Sequence, residues 1–304
     1  MSWADTDNNN THMDTIPKLS IIIPNFNDGE ALPGVINSLI KELAENQLSY
    51  EIIVVNDGST DQSKEILQRD NRIRLINHPY NKGYGASLKT GAKNAQYDWL
   101  IFFDADGQHQ AADIKKLLAY TENFDLISGA RTGYQGPWIR QPGKKLIHLL
   151  AIYLLGKKIA DFNCGLRIIR KSDFLRFIHI LPNGFSCSTT TLFAFLREGL
   201  NVKFVPIQIN KRETGQSMVK PKEFITYLFL ILRLIMLFSP LRIFLPIGLF
   251  LFLLGGGLLI FDVTNQGRIS ASTVLISLSS ILIFFFGLIA DQISALRREI
   301  NNRQ

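Results

Sequence analysis

Two long uncharged segments near the C-terminus constrain this chain more than any other feature. Ile243–Phe261 and Ile269–Ala290 contain no charged residue, and about 20 apolar residues in a helix span the hydrocarbon core of a membrane. The short connection Asp262–Arg268 forces two such helices into a hairpin whose ends leave on one side. The sequence therefore predicts a transmembrane hairpin over residues 242–291, followed by a tail over residues 292–304.

The charges around the hairpin predict its orientation. Many lysines and arginines precede it and several follow it, whereas the connection carries only Arg268. Because basic residues favour the cytoplasmic side, we expect the preceding part of the chain and the C-terminus to be cytoplasmic. This is the arrangement of an integral protein of the cytoplasmic (inner) membrane.

A third apolar run, Phe224–Leu241, is interrupted by Arg233 near its middle and by Pro240 near its end. An arginine at the centre of a span costs about 2.5–3.5 kcal/mol on insertion scales, and a third span would place the C-terminal arginines outside. We therefore favour interfacial helices over residues 216–241 rather than a third span. Residues 1–17 are polar, without the apolar stretch of a signal peptide, and are predicted to be a disordered tail.

Apolar runs alternate with helical patterns in the part of the chain that precedes the membrane segments. The runs typical of buried strands are Leu19–Asn27, Tyr50–Ser59, Ile73–Asn77, Asp98–Asp106 and Asp125–Ala130. The helical patterns between them are Leu32–Glu45, Thr60–Arg69 and Gly85–Ala95. This alternation predicts an α/β domain over residues 18–215, with a mostly parallel sheet and helices on both faces.

Polar side chains follow three of these strands, where ligands of parallel sheets bind. They are Asn25 and Asp28, then Asp57, then Asp104 and Asp106. Two carboxylates one residue apart repel each other unless a cation lies between them, and hard divalent cations prefer oxygen ligands. The stretch DADGQ therefore predicts a metal site. His109, next in the chain, is either a further ligand or an ordinary surface-turn histidine, and we favour the second.

Several function classes find little support. The first strand is not followed by GxGxxG, and the phosphate loop GxxxxGK[ST] is absent. The net charge of +7 is unaccompanied by any nucleic-acid-binding pattern, so we expect no nucleic-acid partner and assign the basic residues to anionic headgroups or a phosphate. Cys164 and Cys187 form no CxxC or metal-ligand pattern and are predicted to be reduced structural thiols.

The motifs PNFND, VVNDGSTD, NKGYGASLKTGAKNA and DADGQ occur in an order and spacing that resemble the family-2 glycosyltransferases of GT-A fold. SGAR, DFNCGLRIIRK and RETGQS, followed by the hairpin, narrow the resemblance to polyprenyl-phosphate sugar synthases, a group that includes dolichyl-phosphate mannose synthases and bacterial undecaprenyl-phosphate glucosyltransferases. The resemblance covers about residues 18–220, and the hairpin is the same kind of membrane segment as in these synthases.

The resemblance implies roles for individual residues. A nucleotide-sugar site would be formed by Pro24, Phe26, Asp28, Val55, Asp57, Asp104, Ala105 and Asp106. Asp28 stands where the family usually has glutamate. Mg²⁺ or Mn²⁺ would be held by Asp104, Asp106 and Gln108, with Asp106 and Gln108 as the better candidates for direct ligands.

The resemblance also implies catalytic and acceptor groups. The catalytic groups would be Asp104, Asp106, Arg131 and Arg212, and the acceptor phosphate would meet Arg131, Arg212, Ser217 and Lys220. Met218 replaces the family's lysine, which weakens the acceptor assignment. Other basic residues, Arg167 and Arg170 among them, are expected to face solvent or headgroups.

The implied reaction is inverting transfer of one sugar from a UDP- or GDP-linked donor to undecaprenyl or dolichyl phosphate. A phosphomonoester is largely dianionic at pH 7, with a second pKa of about 6, and needs no dedicated base. In the predicted helix Asn183–Gly199, the side chains of Ser186, Ser188 and Thr189 either bind sugar or phosphate or cap the helix.

The alternatives to this function are a non-catalytic membrane scaffold and a transferase for another lipid or glycan acceptor. A processive synthase is disfavoured, since QxxRW and further spans are absent. A homo-oligomer through the hairpin is compatible with the sequence but not required.

Overall fold

The computed structural model describes residues 17–132, 159–210 and 240–302, together with the isolated positions 149, 152, 153 and 236. Most of the predicted tail 1–17 and of the predicted interfacial segment 216–241 therefore lies outside the described residues. The described part contains one mixed sheet with helices on both faces and a C-terminal helical hairpin.

Seven strands form the sheet in the order β3-β2-β1-β4-β6-β5-β7. Their bounds are β1 Leu19–Asn25, β2 Tyr50–Asn56, β3 Arg74–Asn77, β4 Trp99–Phe102, β5 Leu126–Arg131, β6 Arg167–Arg170 and β7 Val202–Ile207. The first four strands are mutually parallel, whereas β6 runs antiparallel to β4 and β5. The predicted α/β fold with a mostly parallel sheet is confirmed.

Six helices accompany the sheet in the described part of this domain. They are α1 Leu32–Glu45, α2 Ser63–Gln68, α3 Tyr84–Asn94, α4 Asp113–Leu118, α5 Lys171–Phe177 and α6 Ser186–Arg197. Alternate residues of β1 face opposite sides: Ile22 packs with residues of α3, α5 and α6, and Ile21 and Ile23 pack with α1 and α4. Because both faces are covered, the strands are continuous apolar runs.

The structure differs from the sequence prediction at β4 and at two strands, β6 and β7, that the sequence did not predict. The predicted strand Asp98–Asp106 pairs only over Trp99–Phe102, so the chain leaves the ladder before the two aspartates. The antiparallel strand β6 was not predicted at all. Its sequence, RIIR, is four residues long and passes directly into α5, so it carries too little periodicity to be recognised.

The C-terminal hairpin consists of α7 (Leu241–Phe261), a π-helical turn (Asp262–Gln266) and α8 (Ala271–Asn302). Both helices are long and apolar enough to cross a membrane. In the most apolar 18-residue stretch of each helix, only 11% and 17% is buried by the rest of the protein. A buried core helix would be covered by the rest of the protein, so this exposed apolar surface favours contact with lipid. The helix α8 continues past residue 291, where the predicted hairpin ends.

Contacts join the start of the hairpin to the α/β domain. The Arg242 guanidinium donates to the Tyr153 carbonyl at 2.7 Å, and the Tyr153 hydroxyl donates to the Arg242 carbonyl at 2.9 Å. Ile243 packs against the core on the α3 side of the sheet. The described contacts therefore attach the hairpin directly to the domain that carries the acidic residues.

Candidate active site

The candidate site lies at the carboxyl edge of the sheet, where β1, β2 and β4 end side by side. Asn25 at the end of β1 pairs with Asn56 at the end of β2. The loops beyond them are joined: Ser59 Oγ accepts from the Asn27 backbone N–H at 3.0 Å, and the Thr60 N–H donates to Asn27 Oδ1 at 2.8 Å. The first two loops of the site are therefore held as one unit.

Asp57 is buried and already has several hydrogen-bond donors. Its carboxylate lies 2.6 Å from His78 Nδ1 and accepts the backbone N–H groups of Lys82 and Gly83 at 2.9 and 2.8 Å. His78 Nε2 lies 2.9 Å from Thr90 Oγ1. A carboxylate has about four acceptor positions, so little capacity remains for a base or ribose. Asp57 holds the loop that leads into α3, a role that the sequence did not reveal.

Asp104 is held on several sides. Its Oδ1 accepts the Tyr84 hydroxyl at 2.9 Å, and its Oδ2 lies 3.6 Å from His109 Nε2. A Cβ at Gly165 would overlap this carboxylate, so glycine there leaves the space that it occupies. Burial raises the pKa of Asp104, but His109, Tyr84 and the charge of Arg131 outweigh it and lower the pKa below the ordinary value. Asp104 is therefore an anion with a fixed orientation.

His109 is not the surface-turn histidine that we favoured. Its side chain is 4% exposed, and its ring packs edge-on against Phe103 with centroids 5.9 Å apart. Its Nδ1 is buried and has no hydrogen-bond partner among the residues that the structure describes. The surface prediction is wrong because the ring packs against Phe103 and beside Asp104 instead of facing solvent. His109 instead supports Asp104.

Asp106 and Gln108 lie on the turn that follows β4. The Gln108 N–H donates to Asp106 Oδ1 at 3.1 Å, and the Gln108 carbonyl accepts from the Asn210 N–H at 2.9 Å. Both side chains are half-buried. Among the described residues, no group of three or more His, Cys, Asp or Glu side chains is arranged to hold a metal ion. Two carboxylates and an amide oxygen suit a hard divalent cation whose other ligands are phosphate oxygens.

Arg131, at the end of β5, forms a two-pronged ion pair with Asp161. Its Nε and Nη2 donate to the Asp161 carboxylate at 2.6 and 2.9 Å, and the Asn163 N–H donates to Asp161 Oδ1 at 3.0 Å. Burial raises the pKa of Asp161, but the guanidinium outweighs it and lowers the pKa. The Arg131 side chain remains 32% exposed. Asp161 therefore holds one edge of Arg131 in place, a partnership that the sequence did not reveal.

Arg167 was expected to face solvent or headgroups, and this is wrong. It is completely buried, and within the described part of the chain its guanidinium donates to backbone carbonyls: Cys164 at 3.0 Å, Phe162 at 2.8 Å and Ser188. Burial lowers its pKa. Strand β6 lies inside the sheet, and this side chain points inward from it. Arg167 joins the loop that carries Asp161 to the first turn of α6.

The other predicted donor-site residues differ in accessibility. Pro24, Val55 and Ala105 have buried side chains, so these side chains present little surface to a ligand. Asp28 is half-buried and Phe26 is 41% exposed. The structure thus brings Asp57, Asp104, Asp106, Gln108 and Arg131 to one edge of the sheet.

The predicted acceptor residues Arg212, Ser217 and Lys220 lie outside the described residues, as does Met218. Asn210 is the last described residue before them, and its N–H donates to the Gln108 carbonyl in the turn after β4. In α6 the Thr189 hydroxyl donates to Asn163 Oδ1. No side chain caps the start of α6, so the capping alternative for Ser186, Ser188 and Thr189 is wrong.

An acidic turn beside an arginine lies at the carboxyl edge of this sheet, the arrangement expected of a glycosyltransferase of GT-A fold. Residues 20–178, more than half of the chain, match the family described as Glycosyl transferase family 2, and residues 239–296 match the GtrB C-terminal hairpin. The chain belongs to glycosyl transferase family 2. It is a glycosyltransferase with a C-terminal pair of membrane helices.

Curated relatives match most of the chain. The undecaprenyl-phosphate 4-deoxy-4-formamido-L-arabinose transferase of Proteus mirabilis is 27% identical over 90% of this chain and 85% of its own length. The protein of the same name from Sodalis glossinidius is 25% identical over 79% of this chain and 74% of its own length.

Solved structures of glucosyl-3-phosphoglycerate synthase from Mycobacterium tuberculosis share the fold. Its complex with UDP aligns with a TM-score of 0.58 and 18% identity over 72% of this chain and 80% of that chain. Its complex with Mn²⁺, UDP-glucose and phosphoglyceric acid aligns with a TM-score of 0.54 and 17% identity over 66% and 73%. At this identity the likeness establishes the fold alone.

Proposed function

We propose that this chain transfers one sugar from a nucleotide-diphosphate sugar to the phosphate of a polyprenyl phosphate, undecaprenyl or dolichyl. The transfer inverts the anomeric centre and depends on Mg²⁺ or Mn²⁺. It takes place at the cytoplasmic face of the inner membrane, with residues 18–215 as the catalytic domain. The product is a lipid-linked sugar that serves as donor for a later glycan, lipid or protein modification.

One observation carries this proposal: the acidic turn of Asp104 and Asp106 lies beside Arg131 in a domain attached to two membrane helices. A nucleotide diphosphate leaves with concentrated negative charge, which a cation must offset. Asp106 and Gln108, with Asp104, would hold a divalent metal. That metal would neutralise the diphosphate as the bond to the sugar breaks.

The acceptor side of the proposal rests on charge and on the membrane. A lipid phosphate is already an anionic nucleophile and needs positioning rather than deprotonation. Arg131, which is fixed along one edge by Asp161 and has a side chain that is 32% exposed, is suited to a phosphate. Arg212, Ser217 and Lys220 complete the proposed acceptor site. The relatives named as undecaprenyl-phosphate transferases support this acceptor class.

The test is transfer from a panel of radiolabelled UDP- and GDP-sugars into organic-extractable lipid. The assay contains the purified full chain, undecaprenyl or dolichyl phosphate, and Mg²⁺, Mn²⁺ or a chelator. One donor should give a labelled, acid-labile lipid that chelation abolishes. If no donor labels any polyprenyl phosphate although the folded protein binds nucleotide, the acceptor class is wrong.

A matched pair of variants separates an enzyme from a scaffold. Asp106→Ala removes a proposed metal ligand, whereas Asp98→Ala removes an exposed aspartate next to the opposite end of β4. Several kcal/mol of charge stabilisation are at stake, so Asp106→Ala should lower kcat/KM about a thousandfold. Asp98→Ala should leave it unchanged. Full activity in Asp106→Ala would contradict the metal site and reopen the scaffold alternative.

A further inference from the structure

We propose that Tyr84 is a positioning residue: its hydroxyl fixes the Asp104 carboxylate, and its ring links that carboxylate to the loop that precedes α6. This inference rests on the proposed function, because it concerns the same nucleotide and metal site. Tyr84 lies on α3, outside the groups proposed to bind the donor, the metal or the acceptor phosphate.

The first step of the argument is the division of contacts at Asp104. Tyr84 Oη donates to Oδ1 at 2.9 Å, whereas Oδ2 faces His109 Nε2 at 3.6 Å. The contact to His109 is too long for a strong hydrogen bond. Tyr84 therefore makes the shorter of these two contacts, and the removal of its hydroxyl releases Oδ1 of Asp104.

The second step is that the backbone beside Tyr84 is held from two directions. The Gly83 N–H donates to Asp57 Oδ2 at 2.8 Å, and the Ala86 N–H donates to the Asn183 carbonyl at 3.0 Å. A Cβ at Gly83 or at Gly85 would overlap backbone carbonyls of the loop that precedes α6. Glycines on both sides of Tyr84 thus permit the close approach of this loop to the start of α3.

The third step concerns the tyrosine ring. It stacks on Phe185, with centroids 5.5 Å apart and planes 20° apart. Phe185 is 78% exposed and directly precedes α6. Lys89, one turn further along α3, donates to the Leu181 carbonyl at 3.0 Å and to the Asn183 side chain. The orientation of the Tyr84 ring is therefore coupled to the position of this loop.

These contacts have a functional consequence because a binding site must keep its charged groups within about 0.5 Å of the productive geometry. Without the hydroxyl, Asp104 is free to rotate away from the nucleotide and the metal. We therefore expect about tenfold weaker metal-dependent binding of nucleotide, with the KM for lipid phosphate unchanged.

The experiment measures calorimetric binding of UDP and GDP, each with Mn²⁺, to the full chain in detergent micelles. Tyr84→Phe removes only the hydroxyl and keeps the ring on Phe185. Tyr97→Phe is the matched control, because Tyr97 is also half-buried but lies before β4, at the opposite edge of the sheet. Tyr84→Phe should bind about tenfold more weakly, whereas Tyr97→Phe should match the wild type. Both variants should keep a cooperative melting transition above the assay temperature, so that a change in binding does not reflect unfolding.

A second variant tests the link through the ring. Phe185→Leu removes the stacked ring at an exposed position and should weaken nucleotide binding in the same direction, by about threefold. Binding of both Tyr84→Phe and Phe185→Leu at wild-type affinity would overturn the proposal. So would a loss of binding that only follows a loss of thermal stability.

The outcomes also separate this inference from the proposed function. If the wild type binds nucleotide but labels no polyprenyl phosphate, the acceptor assignment fails, while the Tyr84 comparison still decides the positioning role. If the wild type labels lipid and Tyr84→Phe binds and turns over normally, the function stands and the positioning role is wrong.

Discussion

Asp161 acts on the candidate site through Arg131. Both guanidinium donors on one edge of Arg131 meet the Asp161 carboxylate, which leaves the other edge of a fixed fork for an anion. The pair is partly exposed, with 32% of the Arg131 side chain and 11% of the Asp161 side chain accessible. Solvent therefore screens part of the attraction, and the geometry that the pair imposes matters more than its energy.

Asp161→Asn should lower stability and activity together, with a defined pH dependence. The folded-state pKa of Asp161 lies below its unfolded value of about 3.9. Its contribution to stability is therefore fully present above that value and is lost as the pH falls through the folded pKa. At pH 7 we expect a loss of about 1 kcal/mol and a clear fall in kcat/KM.

The measurement is the melting temperature of wild type and Asp161→Asn at pH 7, 5 and 3. The difference between them should be constant from pH 7 to 5 and should shrink at pH 3. A difference that is as large at pH 3 as at pH 7 would show that the ionised carboxylate contributes nothing.

Gly165 makes room for Asp104, so Gly165→Ala should damage the site. The new Cβ overlaps the carboxylate, and Asp104 must rotate away or the loop must move. We expect at least a hundredfold loss of kcat/KM, because displacement of a catalytic group by about 1 Å costs that much. Transfer activity is the readout.

The control is Gly34→Ala, on α1. A Cβ at Gly34 meets nothing within 4 Å, and the substitution should stabilise the helix slightly. Equal activity in the two variants would contradict this account.

At the scale of elements, strand β6 and the segment before it join the sheet to α6. Arg167 reaches from β6 to three backbone carbonyls, two in the loop of residues 161–165 and one in α6. A buried arginine with carbonyl partners alone needs all of them, because an unsatisfied buried cation is costly. The arginine thus fixes the loop that carries Asp161 and Gly165 relative to α6.

Arg167→Gln should lower the melting temperature by many degrees. It leaves buried carbonyls without donors, at about 1–3 kcal/mol for each, and creates a void. Arg170→Gln is the matched control on the same strand. Arg170 is exposed, lies 3.6 Å from Asp125 and stacks over Trp99, so its loss should cost about 1 kcal/mol or less. Similar melting temperatures for both variants would mean that the carbonyls find other partners.

At the scale of the whole molecule, the hairpin and the α/β domain occupy different solvents. Glycines let α7 and α8 approach closely: a Cβ at Gly255 would meet Ser277, and one at Gly287 would meet Phe244. At the tip, the buried Asp262 accepts the Ser270 N–H and the Thr273 hydroxyl, each at 2.7 Å. These bonds satisfy polar groups at the start of α8, which lipid does not do.

Cysteine labelling tests the proposed orientation. The native Cys164 and Cys187 are buried, so an added cysteine supplies the accessible thiol. Thr264→Cys, at the tip of the hairpin, should react with a membrane-impermeant maleimide on intact cells or spheroplasts. Lys41→Cys, on an exposed position of α1, should react only after lysis. The reverse pattern would mean that the catalytic domain faces outward.

Local patterns in the sequence were sufficient to predict the elements whose surroundings are of one kind, either lipid or the apolar core of the domain. The membrane helices followed from uncharged length, and β1, β2 and α1 from continuous or periodic apolar residues. Such signals are carried by neighbours in the chain, because burial repeats with the period of the element. The acidic turn after β4 was recognisable for the same reason, since its aspartates directly follow a buried run.

Only the tertiary structure decided which side chains meet at the site. Arg131 and Asp161 are 30 residues apart, and Tyr84 and Asp104 are 20 apart. The antiparallel insertion of β6 creates the buried position of Arg167, and His109 is buried where its ring packs against Phe103. These contacts form when segments without a common sequence pattern are packed together, and their geometry depends on the whole sheet. The sequence by itself therefore determined the class of the protein and which segments are suited to lipid and which to water. The packing of distant segments determined which donors hold each carboxylate.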